Sequence, residues 1–251
     1  MYQEVLKFGA QIVDALVDYK HPVFVYIPPG GELRGGSWVV IDPSINPDQM
    51  EMYADVESRG GILEPPGIVE VKFRAAQQKE MMHRLDPELQ SLDAQLEGSL
   101  SAEAPGADDI QSKINAREVK LAPLYTQIAC EFADLHDRTG RMEAKGVIRK
   151  GLEWKRAREF FYWRVKARLL CAEVEREICS ADSALSLTAA KELVSGWLSE
   201  AGKTEDKDVC AFLEEAPFAS KVEGVKIEAT KRRVRELYES LPDGEKASAL
   251  K

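Results

Sequence analysis

The sequence predicts an α/β fold over about residues 1–150 and a helical extension over about residues 151–251. Apolar side chains recur at helical spacing over residues 2–19. A short β-branched and aromatic run follows at residues 23–27 and is bounded by turn residues. From about residue 75 onward the apolar patterns have the helical period. Helices combined with short strands in this way are typical of a layered α/β unit.

The composition excludes several classes of protein. The chain has 251 residues, with 44% apolar and 31% charged side chains, which is ordinary for a soluble globular protein. Its net charge of −9 argues against a nucleic-acid surface, because such a surface needs basic side chains to neutralise phosphates. No apolar run is long enough to span a bilayer, and Glu4, Lys7 and Asp14 interrupt the first apolar stretch, unlike a secretory signal. We therefore expect neither a nucleic acid nor a membrane among the partners.

The cysteines and histidines predict no metal site. The four cysteines, which are Cys130, Cys171, Cys179 and Cys210, form no CxxC pair and indicate reduced thiols in an intracellular compartment. His136 stands beside Asp137, which leaves a general-base role open, but such a pair at a helix end is more often a cap or a charge partner. His21 and His83 have no better catalytic context.

The first 75 residues predict one helix and four short strands. The opening helix contains Gly9, which costs about 1 kcal/mol against alanine in a helix interior. We therefore expect a neighbouring backbone or a ligand to approach closely at this position. The predicted strands cover residues 23–27, 38–41, 61–64 and 68–73.

A glycine-rich loop at residues 28–36 joins the first two predicted strands. It contains Gly30, Gly31, Gly35 and Gly36. Glycines let a backbone adopt φ > 0 or approach another molecule closely, and their amides can point at an anion. The pattern is consistent with an oxyanion site at a strand end and with an ordinary turn.

The rest of the chain predicts helices. Residues 75–96 indicate one or two helices broken near Pro87, residues 98–109 an exposed loop, and residues 110–135 a long helix interrupted or restarted at Pro123. Short helices are expected at residues 183–198, 207–215 and 228–241.

Residues 149–168 combine eight basic and two acidic side chains with several aromatic rings. Such a segment could hold a CoA phosphate or an acidic partner. It could equally be an amphipathic helix that buries its aromatics while its arginines remain in water or pair with carboxylates. We favour the helix.

Three long strings resemble the carboxyltransferase domain of eukaryotic multidomain acetyl-CoA carboxylases. They are ELRGGSWVVID at residues 32–42, INPDQMEMYAD at 45–55 and LEPPGIVEVKFR at 63–74. The resemblance extends over about residues 2–168, through VLKFGAQIVDALVDYKHPVFVYIP upstream and PLYTQIACEFADLHDRTGRMEAKGVI and FFYWR downstream.

The resemblance implies a crotonase-like fold, a superhelix of ββα repeats, of which this chain would be the second carboxyltransferase half. It also implies transfer of the carboxyl group of N-carboxybiotin, presented on a carrier domain, to acetyl-CoA, which gives malonyl-CoA for fatty acid biosynthesis. Such a site needs oxyanion stabilisers and positioning more than a dedicated protein base.

The resemblance also assigns substrate-pocket residues. One group lies on the opening helix, and a second lies on the glycine-rich loop and the run that follows it. The LEP string adds a site-facing carboxylate, and Arg34 is a candidate anion partner or a structural salt bridge. The assigned residues are Val5, Gly9, Arg34, Gly35, Gly36, Val39, Val40 and Glu64.

The family's carboxylate-binding arginine and oxyanion-hole glycine belong to an Arg-Gly-Phe-Ser-Gly-Gly segment that would precede Met1. The resemblance therefore assigns no catalytic residue here, and we expect the chain alone to be inactive. Biotin would reside on the carrier domain, and ATP would be used by another domain of the parent enzyme. Because family enzymes place the second half of one subunit against the first half of another, we expect a homodimer, with acetyl-CoA and the biotin carboxyl carrier domain as partners.

Two alternatives stay open. One is a carboxyltransferase for another acyl-CoA, such as propionyl-CoA, and the other is a non-catalytic dimerisation or scaffold fragment. We expect a cytoplasmic location, with a plastid as the alternative.

Overall fold

A computed structural model describes residues 2–101, 106–242 and 246. The chain divides into two compact units, Met1–Trp154 and Lys155–Lys251. The first unit combines strands with helices, and the described part of the second contains helices without strands. The fold is therefore α/β and mostly helical.

The strands of the first unit form two parallel sheets. Strands β1, β3 and β5 form one sheet with β3 in the centre, and β2 pairs with β4 in the other. The chain therefore visits the two sheets alternately. The strands are β1 (Val23–Ile27), β2 (Glu32–Arg34), β3 (Met50–Asp55), β4 (Arg59–Gly61) and β5 (Lys150–Leu152).

Strand β3 is buried at all six positions because strands flank it on both edges and other elements cover its faces. It nevertheless contains two carboxylates, which are satisfied by hydrogen bonds. Glu51 accepts a 2.6 Å hydrogen bond from the Tyr53 hydroxyl. Asp55 accepts hydrogen bonds from the backbone amide of Trp154 at 2.8 Å and from the Tyr26 hydroxyl at 3.2 Å. Burial and the neighbouring Asp55 raise the pKa of Tyr26 to about 12.

Seven helices surround these sheets in the described part of the first unit. The chain opens with a π-helical turn at Tyr2–Leu6 that leads into the first helix. The helices are α1 (Lys7–Val17), α2 (Gly35–Trp38), α3 (Pro65–Lys72), α4 (Ala75–Leu85), α5 (Pro87–Ser101), α6 (Ala107–Asp137) and α7 (Thr139–Ala144).

The first unit has two apolar cores. One lies against the three-stranded sheet, where Ile27, Met52 and Ala54 pack with Met142 of α7 and with partly buried Trp38. The other lies within the helices, where Met82 of α4, Leu89 of α5 and Ile114 of α6 meet. The first core positions α2 and α7, which become the walls of the candidate site.

Two of the predicted strands are wrong. Residues 38–41 belong to the end of α2 and the turn after it, because Val39 N donates to Gly35 O at 3.2 Å and the Trp38 indole donates to Asp42 at 2.7 Å. Residues 68–73 lie mostly in α3, because two prolines at its first turn favour helical φ values there. Of the predicted strand at 61–64, only Gly61 belongs to a strand.

The helical expectations are largely confirmed, with changes at the ends. The predicted break near Pro87 separates α4 from α5, and the opening helix corresponds to α1. Pro123 lies inside α6 without ending it. The loop predicted at 98–109 is shorter, because α5 runs to Ser101 and α6 starts at Ala107, while residues 102–105 lie outside the described residues.

The described part of the second unit contains four helices. Ile178, Val194, Phe212 and Phe218 form its largest buried cluster. The basic and aromatic segment lies mainly on the first of these helices, as expected, and its Arg164 pairs with Asp206 at 2.8 Å. The expected burial of its aromatic side chains is wrong for Trp154 and Tyr162, which are 62% and 60% exposed. The helices are α8 (Trp154–Ala181), α9 (Leu187–Glu200), α10 (Asp206–Leu213) and α11 (Ala216–Ser240).

A histidine clamp joins α4, α5 and α6. His83 Nδ1 lies 2.6 Å from Asp93 Oδ2 on α5, and its Nε2 lies 3.1 Å from Glu118 Oε1 on α6. Hydrogen bonds with Asp93 and Glu118 outweigh burial and raise the pKa of His83. Lys79 of α4 also pairs with Glu118. When His83 is protonated, its imidazolium pairs with carboxylates of two neighbouring helices and stabilises the packing of the three helices.

We predict that the free energy of unfolding of the chain falls as pH rises through the raised pKa of His83. The pKa of His83 is higher in the folded chain than its ordinary value of 6.5, which it has in the unfolded chain, so the folded chain binds the proton more tightly. The resulting contribution to the free energy of unfolding is complete below pH 6.5 and is lost as pH rises above the folded-state pKa. Denaturant titrations of the wild type and of His83→Gln at about pH 6 and about pH 9 measure this effect, because the glutamine side chain stays neutral over this range. His83→Gln should lose less stability over this range than the wild type. Equal pH dependence of the two proteins would contradict the clamp.

Candidate functional site

An ion pair between Arg34 and Asp137 connects β2 to the end of α6. Arg34 Nη1 lies 2.5 Å from Asp137 Oδ2, and the same nitrogen donates to Leu63 O at 3.1 Å. The two side chains are 19% and 11% exposed, so water screens the pair only weakly. Burial opposes the charge of Arg34, but hydrogen bonds to Asp137 and Glu32 outweigh it and raise the pKa of the guanidinium.

Two glycines of β4 fit closely around this ion pair. A Cβ atom on Gly61 would lie 2.6 Å from Asp137 Oδ1, and one on Gly60 would lie 2.6 Å from Met142 Sδ and 2.7 Å from the Trp38 ring. The glycines therefore let α2, β4 and the α6–α7 corner approach each other. Larger residues at either position would push these elements apart.

The short helix α7 is anchored beneath its first turn. The Thr139 hydroxyl is buried and donates to the carbonyl of Asp55, and it lies 3.0 Å from the Ser58 hydroxyl. The segment after β3 thus holds the start of α7. Further along, Met142 fills the core against the three-stranded sheet. Helix α7 is consequently fixed at both of these points.

These contacts border a partly open cavity of about 380 Å³, within the size range of small-molecule pockets. Glycine backbone and apolar side chains form most of its wall, and three basic side chains come from the end of α6 and from α7 with its C-cap. The lining residues are Gly35, Trp38, Val39, Gly60, Gly61, Ile62, His136, Arg141, Met142, Lys145 and Val147.

The structure brings only some of the predicted site residues to this cavity. Gly35 and Val39 line it. Gly9 and Val40 meet beside it, because a Cβ on Gly9 would lie 3.3 Å from Val40 Cγ1. A close neighbour is thus present at Gly9, but it is a side chain and not the backbone or ligand that the sequence predicted.

The other predicted residues lie outside the cavity lining. Val5 is 62% exposed on the turn before α1, and Glu64 is exposed directly before α3, where its side chain makes no capping hydrogen bond. Gly36 is exposed on α2. The pairing of Arg34 with Asp137 and Glu32 supports the salt-bridge alternative for this residue.

The glycine-rich loop is partly a turn. Gly30 has φ of +65°, which glycine adopts without strain, and Gly31 N donates to Pro28 O at 2.8 Å. The Gly35 amide donates to Ile62 O at 3.1 Å, so it is already used within the fold. Gly36 and Ser37 lie in the first turn of α2, where amides have no intrahelical acceptor. These two amides are the remaining candidate donors to an oxyanion.

The sequence did not predict that the end of α6 and helix α7 line the cavity. His136 lines the cavity, but its Nδ1 lies 3.0 Å from Phe132 O and it has no carboxylate or nucleophile partner among the described residues. Arg141 of α7 and Lys145 at its C-cap were not singled out, although their spacing of four residues places them on one face.

In the part of the chain that the structure describes, no cluster of three or more histidine, cysteine, aspartate or glutamate side chains is arranged to hold a metal ion. No described helix has the length and apolar character needed to cross a membrane.

We predict that Asp137→Asn lowers the free energy of unfolding by about 2–3 kcal/mol, because it leaves the weakly exposed Arg34 without its main counter-charge. Glu32→Gln is the matched control, since Glu32 pairs with the same arginine but is 50% exposed. Its expected cost is below about 0.5 kcal/mol. Denaturant titration of both variants measures the difference, and similar values would show that Asp137 has no special role.

We predict that Gly61→Ala destabilises the chain by about 1–3 kcal/mol, because the added methyl group would overlap the carboxylate of Asp137. Gly67→Ala is the control, because its Cβ would meet only Leu63 at 3.5 Å, an ordinary contact. That change should be neutral or stabilising by up to about 1 kcal/mol in helix α3. Thermal or denaturant unfolding distinguishes the two variants, and a neutral Gly61→Ala would refute the tight fit.

Comparison with known proteins places this chain in a family. The family model for the carboxyl transferase domain matches residues 1–169. The chain is 50% identical over 219 residues to "Acetyl-CoA carboxylase, mitochondrial" of Saccharomyces cerevisiae (strain YJM789), covering 85% of this chain and 10% of that protein. It is 50% identical over 221 residues to acetyl-CoA carboxylase of Schizosaccharomyces pombe, covering 86% and 10%. It is 44% identical over 255 residues to acetyl-CoA carboxylase of Saccharomyces cerevisiae (strain ATCC 204508 / S288c), covering 97% and 11%. The chain thus spans about a tenth of the length of these relatives, and it belongs to the carboxyl transferase domain family.

Proposed function

We propose that this chain supplies part of the carboxyltransferase site of an acetyl-CoA carboxylase. The reaction would move the carboxyl group of N-carboxybiotin to acetyl-CoA and form malonyl-CoA. Membership of the carboxyl transferase domain family and about 50% identity to acetyl-CoA carboxylases of two yeasts support this assignment.

The observation that carries the proposal is the packing of α1 beside the cavity. Gly9 of α1 touches Val40, which follows the cavity-lining Val39 in sequence. Helix α1 and the α2 segment therefore form adjacent surfaces. The resemblance assigns residues of both to the walls of a substrate slot. A glycine at the contact keeps the two surfaces close together.

The character of the cavity suits carboxyl transfer. Its apolar wall, formed by Trp38, Val39 and Met142, would exclude water from a bound ligand. The amides of Gly36 and Ser37 would donate hydrogen bonds to an oxyanion, provided that the ligand reaches the first turn of α2. A small bicyclic ring such as that of biotin fits a cavity of about 380 Å³. Biotin would act here as the carboxyl carrier, and Gly35 and Val39 would contact its ring.

We also propose that the fold is a crotonase-like superhelix of ββα repeats. The alternation of strands supports this, because β1, β3 and β5 enter one parallel sheet while β2 and β4 enter the other. Each turn of such a superhelix would add one strand to each sheet and then a helical segment. The helices α3 to α6 between β4 and β5 would form the expanded helical part of one repeat.

A homodimer that completes the site is part of the same proposal. Helix α1 has no buried residue, and Leu6 and Phe8 at its start are 60% and 62% exposed. Apolar side chains of this size are usually covered in a functional assembly. The first carboxyltransferase half of another subunit would cover them and would bring acetyl-CoA.

A chimera tests the proposed function. We expect acetyl-CoA carboxylase of Saccharomyces cerevisiae to retain malonyl-CoA formation within about tenfold when its matching segment is replaced by this chain, because the walls of the site are similar. Propionyl-CoA is assayed in parallel to measure acyl-group selectivity. A chimera that is folded and assembled but inactive with both substrates would contradict the proposal.

Within this chimera, Gly9→Val should reduce kcat by about 10²-fold, because its methyl groups would push α1 away from Val40 and misplace the reacting groups. Gly98→Ala on α5 is the matched control, because nothing lies within 4 Å of its added methyl group. That control should leave kcat unchanged. An active Gly9→Val chimera would show that the α1 contact does not position the site.

A further inference from the structure

We propose that Arg141 and Lys145 form an anion-binding rim on the cavity. The rim would take a carboxylate or phosphate group of a ligand whose apolar part lies along the cavity wall. The choice of ligands used to test it rests on the proposed carboxyltransferase function. The rim itself follows from the side chains of the first unit.

The two cations line the same cavity and have no protein counter-charge. Arg141 belongs to α7, and Lys145 follows one turn later, directly after the end of the helix. Both side chains are exposed, and neither forms an ion pair or hydrogen bond with any residue in the described ranges. Two cations on one face of a turn that face a cavity repel each other, and a bound anion would remove this repulsion.

Three other arginines of the first unit are paired with carboxylates. Arg34 pairs with Asp137 at 2.5 Å, Arg59 with Asp134 at 2.7 Å, and Arg117 with Asp86 at 2.8 Å. The chain as a whole carries a net charge of −9, so carboxylates are abundant. Among the described residues, Arg74 and Arg84 also have no ion pair, but neither lines the cavity; Arg141 and Lys145 are unpaired cations that do line it.

The carboxylates close to the rim are already occupied. Asp137 is bound to Arg34, and Asp134 lies between Arg59 and Arg138. Glu143, between the two rim residues in sequence, accepts a 2.9 Å hydrogen bond from the Gly151 amide. The rim consequently presents positive charge that these neighbouring groups do not neutralise by direct pairing.

The rest of the cavity is mostly apolar and would contact the other end of the ligand. Opposite elements contribute Trp38, Val39 and Ile62, and α7 contributes Met142. Buried Thr139 and Met142 fix α7, so the rim is held in place relative to this apolar wall. A ligand that combines an anionic group with an apolar stem matches both surfaces.

Calorimetric titration of the full 251-residue chain tests the rim with two probes. Malonyl-pantetheine carries a carboxylate but no phosphate, and adenosine 3′,5′-bisphosphate carries phosphates but no acyl group. We expect saturable binding of at least one probe, and the probe that binds identifies the anion. Arg141→Gln and Lys145→Gln should each weaken that binding by about tenfold, because each removes a charge-assisted hydrogen bond. Lys120→Gln is the matched control, since it removes an exposed charge of α6 that does not line the cavity.

The experiment has outcomes that overturn the proposal. Circular dichroism first shows that each variant is folded. If neither probe binds the folded wild-type chain, or if both rim variants bind as tightly as Lys120→Gln, Arg141 and Lys145 do not form an anion site. Failure of the proposed function is seen separately, as an inactive yeast chimera, because that assay does not depend on probe binding by the isolated chain.

Discussion

The ion pair between Arg34 and Asp137 is the contact on which the candidate site depends. The two residues are 103 positions apart in sequence and belong to elements on opposite sides of the cavity. Their attraction holds β2 and the following α2 against the corner between α6 and α7. The fit is close enough that Gly61 leaves no room for a methyl group beside Asp137. Arg34 therefore has a positioning role, because its ion pair sets the distance between the walls that would contact a ligand.

A second anchor lies beneath α7. Asp55 at the end of the central strand receives hydrogen bonds through its side chain, and its carbonyl accepts one from Thr139. The buried strand thereby fixes the helix that carries Met142 into the core and Arg141 to the cavity rim. One short helix therefore contributes both to the core and to the cavity rim. A substitution that displaces α7 from the core would also move the rim.

The sequence predicted the helical parts of the fold well and the strands less well. Periodic apolar residues identified α1, α4, α5 and α6, because a helix that packs on one face has apolar residues at helical spacing along its sequence. Strand β3 was not predicted as a strand, since burial on both sides removes the alternation of apolar and polar residues and Glu51 and Asp55 find partners only in the folded chain. Helix α3 was predicted as a strand, although its two prolines at the first turn were a usable signal. For the site, the sequence identified Gly35 and Val39, but the contributions of α6 and α7 depend on a contact across more than a hundred residues, which no local pattern shows.

The most direct test of the whole account is the reverse half-reaction. Decarboxylation of malonyl-CoA in the presence of free biotin is measured with this chain alone, with the first carboxyltransferase half of the yeast enzyme alone, and with the two mixed. We expect activity that arises in the mixture and depends on both polypeptides, because this chain would supply one wall of a shared site. A folded and associated mixture without activity would contradict it and would favour a non-catalytic role for this chain.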